Sequence, residues 1–221
     1  KVPPSVKPEK NVCMVVATGA GNLLFYDHSM AQGTTVTKGI EEWIALIPGG
    51  VMVCEYLGAY EPAMLDQMTG RLRYYAKIGL SAVKTTYGAP VNFRNMWRYV
   101  WTKMEWDPSQ DAHALAGDFL RFYYGTAAEP LEKYFKIVHE QYAKTLASGK
   151  TLNDGYPPDF YTDEFVRKCT ACFDEAAAAA ENKKKSSEIE YEKLMFLQDA
   201  LAHLGSYSLD RKSTRLNSSH D

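Results

Sequence analysis

Three short apolar runs constrain this chain more than any other feature. Residues 11–18 (NVCMVVAT), 51–56 (VMVCEY) and 80–86 (LSAVKTT) are rich in β-branched side chains and lie about 35 residues apart. Helical patterns separate them. Ile40, Trp43, Ile44 and Ile47 recur at helical spacing and stop at Pro48-Gly49-Gly50. Leu65, Met68, Leu72, Tyr75 and Ala76 share one helical face, with Gly79 at the C-cap position. Residues 92–104 are amphipathic again. Strands alternating with helices predict βαβ units and a parallel sheet with right-handed crossovers. Three strands cannot close a barrel. They fit the last three strands of a (β/α)8 barrel or part of an open sheet.

The strand pattern ends at Asp107-Pro108. Helices are predicted over residues 112–123, from Glu129-Pro130 through Tyr142, over 163–181 and over 187–207, with a Gly- and Pro-bearing loop at 149–160. The fold class is therefore α/β followed by all-α, divided into 1–106 and a helical module at 107–209. Residues 210–221 are polar and aperiodic, and 210–220 read as the translation of a DNA sequencing-library adapter, so they are excluded from fold reasoning. That tail implies a gene fragment. The start, Lys1-Val2-Pro3-Pro4, has neither Met nor an apolar signal segment, so the chain is either mature or lacks its N-terminal part.

At 46% hydrophobic residues the chain has material for a real core, which excludes a disordered tail or a disulfide-stapled scaffold. A net charge of −2 gives no basic field for a phosphate backbone, so no nucleic-acid partner is expected. No apolar run reaches the roughly 20 residues of a membrane-spanning helix. Cys169 and Cys172 have CxxC spacing, but lie mid-helix without a second pair or a nearby His, so no metal is expected. Gly19-Ala20-Gly21 lacks the rest of a phosphate loop, so no cofactor is expected either. Cys13 and Cys54 should be small apolar members of buried strands, and Trp97, Trp101 and Trp106 should pack in the core. Ala176 to Ala180 continue a helix, and Lys183-Lys184-Lys185 read as a solvated turn.

Functional groups in parallel α/β folds gather where strands end. Glu55 is the sharpest candidate, because a carboxylate closing an apolar run must be desolvated, hydrogen-bonded or used. It is either a catalytic carboxylate in a sugar site or a structural acid bonded to backbone amides or an Arg. His28 could donate to a substrate hydroxyl or cap a helix. Tyr56, Tyr60 and Tyr87 could form a platform for the apolar face of a sugar ring, or belong to an ordinary core among 15 tyrosines. Thr86 and Asn92, after the third run, complete the set of candidate substrate contacts.

Three further stretches carry a resemblance: RLRYYAKIGL at 71–80, WTKMEWDPS at 101–109 and DFLRFYYGTAA at 118–128. The chain resembles a bacterial family catalogued as domain of unknown function 4838, whose members look like glycoside hydrolases of the α-glucuronidase and β-hexosaminidase type. The resemblance covers most of residues 8–205. It implies that the three strands are the last of a TIM barrel, with the helical module behind and earlier strands in a missing N-terminal half. It further implies export to a secreted or periplasmic location. His28 matches a His usual after the sixth strand, and Glu55 an acidic position ending the seventh. Thr85-Thr86-Tyr87 stands where many members carry Glu. The implied function is glycoside hydrolysis between two carboxyl groups, Glu55 being one and the other lying outside this fragment, which would be inactive alone. The alternatives are a non-catalytic carbohydrate-binding protein that kept the groove, and a purely structural half-barrel.

Overall fold

The computed structural model describes residues 8–9, 11–17, 35–47, 49–57, 64–87, 92–148 and 160–217. The fold is mixed α/β and mostly helical. Its elements run β1 (Met14–Ala17), α1 (Thr35–Leu46), β2 (Val51–Leu57), α2 (Met64–Lys77), β3 (Ala82–Tyr87), α3 (Arg94–Trp106), α4 (Ala112–Tyr124), a 3-10 turn (Gly125–Ala127), α5 (Ala128–Ala147), α6 (Asp163–Ala179) and α7 (Lys183–Asn217). They fall into two compact units: Lys1–Ala116 with Leu152–Asp154, and Gly117–Thr151 with Gly155–Asp221. The division comes about ten residues later than the Asp107-Pro108 boundary the sequence suggests. The reason is local. Asp107 accepts hydrogen bonds from the Ser109 amide and hydroxyl, while Arg73 of α2 holds the carbonyls of Pro108 and Gln110. The turn thus stays with the first unit.

In the first unit the strands form one parallel sheet in the order β1-β2-β3. Each strand lies beside the next in sequence, so right-handed crossovers put α1 and α2 on one side of the sheet. Val51, Val53 and Glu55 alternate onto that side, and all are at most 1% exposed. The rows of the register carry Val16, Val53 and Val83 on the same side. The opposite side carries Val15 with Met52 and Ala82 in one row, and Ala17 with Cys54 and Lys84 in the next. Val15 and Lys84 are exposed there, while Cys54 is buried. Gly79 takes φ +76° after α2, and the Leu80 amide reaches back to the Tyr75 carbonyl, the glycine-terminated stop the sequence predicts.

Trp97 and Trp101 of α3 are buried as expected, but Trp106 is 91% exposed. The five-residue step from Trp101 turns it about 140° away from their face at 100° per residue. Cys13 is also exposed, because β1 starts one residue after it. Ala76 is exposed at the edge of the buried stripe of α2.

The second unit is helical. Its centre is aromatic: Tyr134 of α5, Phe173 of α6 and Phe196 of α7 meet, with centroids 4.6 Å apart for Tyr134–Phe173 and 5.7 Å for Tyr134–Phe196. Thr162 N-caps α6 by accepting from the Phe165 amide. The residues read as a solvated lysine turn instead open α7. Asn182 accepts from the Lys185 amide, and Lys185 lies over the Tyr123 ring with Nζ 3.3 Å from its centroid. The backbone of α7 continues to Asn217, through much of the adapter-like stretch.

Candidate functional site

Glu55 lies on β2, and its side chain is 1% exposed. Both carboxylate oxygens are engaged by α2. Arg71 Nη1 donates to Oε2 at 2.8 Å as a buried ion pair, and the Tyr75 hydroxyl donates to Oε1. Arg71 and Tyr75 are four residues apart and share one face of the helix. Burial first, then the negative charge of Glu55, holds the Tyr75 hydroxyl far above its ordinary pKa, so it remains a donor. Both oxygens of this buried carboxylate are thus engaged within the fold. It faces α2. In this structure Glu55 ties strand β2 to helix α2.

The other candidates fare unequally. Asn92 is 1% exposed, and its backbone carbonyl accepts from Trp97 Nε1 at 2.8 Å, so it belongs to the buried turn before α3. Phe93, next to it, is buried with φ 51°, an uncommon conformation for a residue other than glycine. The backbone places Tyr56 beside Thr86 and Leu57 beside Tyr87, at the C-terminal ends of neighbouring parallel strands. The side chains of Tyr56, Thr86 and Tyr87 lie outside the described residues, as do His28 and Tyr60 altogether. The register therefore places three of the seven candidates, Tyr56, Thr86 and Tyr87, at one end of the sheet by backbone position, while Asn92 lies outside the strands in a buried turn.

The motifs that distinguish the sequence prove to be fasteners. Arg71 and Tyr75 hold Glu55, Tyr74 donates to Glu41 of α1 at 2.9 Å, and Arg73 clamps the turn after α3. Trp101 donates its indole N–H to Glu105 at 2.6 Å, and Thr85 of β3 approaches the same carboxylate at 3.4 Å. Burial raises the pKa of Glu105 against the opposing effect of these two bonds. Sequence reasoning passed over Arg71 and Tyr75 as contacts. Their signal was an arginine on the apolar stripe of an amphipathic helix, which demands a buried acid.

Cys169 and Cys172 are buried in α6, and burial pushes both thiols above their ordinary pKa. Among the described residues no group of three metal-ligating side chains occurs, and no helix is long and apolar enough to cross a membrane.

No curated protein and no solved structure matches the chain. One family model does match, over residues 1–136, which takes in the whole sheet, α1 to α4 and the first turns of α5. With more than half of its length so matched, the chain belongs to the family described as a domain of unknown function (DUF4838).

Proposed function

We propose that this chain contributes to a non-catalytic carbohydrate-binding protein, in which the parallel sheet is one wall of a TIM-barrel groove. The observation that carries the non-catalytic half is the engagement of both Glu55 oxygens by Arg71 and Tyr75 at 1% exposure. A general acid or base must reach the proton it transfers, and this carboxylate is spent inside the fold. The groove half draws support from the consecutive strand order, and from Tyr56, Thr86 and Tyr87 lying in register at the strand ends. It also draws support from the family resemblance of the motifs. On this reading further strands complete the wall, and the whole protein works outside the cytoplasm on polysaccharide or oligosaccharide.

Calorimetric titration of the protein that carries the further strands, with a panel of oligosaccharides, tests the proposal. At least one sugar should bind without being cleaved, and Tyr56→Ala or Tyr87→Ala should weaken it about tenfold, or about 1.4 kcal/mol. Release of reducing sugar that disappears in a folded Glu55→Gln variant would restore the hydrolase reading. Absence of any binding heat would leave the structural half-barrel.

A further inference from the structure

We draw no further inference here: the strongest candidate, the exposed stripe of Tyr191, Leu194 and Leu201 along α7, is an unpartnered helix face, and nothing in the structure shows what covers it.

Discussion

Glu55 is expensive to bury and worth little as a net stabiliser once paired, but costly to orphan. Removing one member of a buried ion pair typically costs about 3–5 kcal/mol, because the other charge stays behind without compensation. Tyr75→Phe removes only the neutral donor and leaves the ion pair, so it should cost about 1.5–3 kcal/mol in urea unfolding, the range for a bond to a charged group. A loss as large as that of Glu55→Gln would mean that the tyrosine, not Arg71, holds the acid. The need for a partner at Glu55 was legible in the sequence, since the residue closes the run Val51-Met52-Val53-Cys54. Which side it faced was not. The period of two puts Glu55 on one side with Val51 and Val53, but both faces of that strand are apolar, so only the fold reveals that this is the side α2 covers, through Arg71 and Tyr75. Asn92 illustrates the opposite difficulty. A polar residue just after a strand end looks accessible in one dimension, but the neighbouring Phe93 and Trp97 bury it.

The elements themselves were largely readable. Strands β2 and β3 and helices α2 to α6 fall within a few residues of the hydrophobic periodicity, and the glycine at 79 ends α2 as a C-cap residue should. The failures have specific causes. The lysines at 183–185 looked like a turn because charge alone cannot tell a solvated loop from a first helical turn. Asn182 as the cap and the Tyr123 ring under Lys185 decide for helix. Trp106 looked like core because it is a tryptophan, but it is out of phase with Trp97 and Trp101. The two roles separate experimentally. Trp101→Ala should lower stability by about 3–5 kcal/mol, as aromatic truncations in a core do. Trp106→Ala should stay within about 0.5 kcal/mol of the parent in the same chemical denaturation. Equal losses would place Trp106 in a packed environment.

At the scale of the whole molecule, buried phenols tie the two units to a common alkaline limit. Burial first, then the hydrogen bond and charge of Glu41, raises the pKa of Tyr74 from 10.0 to about 12. Burial, followed by nearby Glu55 or Glu192, raises Tyr75 and Tyr124 further. Each folded pKa lies above its unfolded value, so folding favours the neutral phenol. That contribution is intact below pH 10 and, for Tyr74, is lost as pH rises from 10 to about 12. Denaturant midpoints should therefore be flat up to pH 10 and fall above it, with phenolate absorbance appearing together with loss of helical circular dichroism. Early phenolate absorbance from these tyrosines without unfolding would contradict their burial. Among the described residues Glu55 is the buried acid on a strand, and its role decides between a catalytic and a structural carboxylate. The most direct test is a double-mutant cycle on Glu55 and Arg71, by urea unfolding of this chain, with sugar turnover and binding assayed on the same variants of the protein that carries the further strands. Glu55→Leu alone should cost about 3–5 kcal/mol, and Glu55→Leu with Arg71→Leu markedly less, with no cleavage activity to lose. Additive, small stability losses together with a sugar-cleaving activity abolished by Glu55→Leu would contradict it.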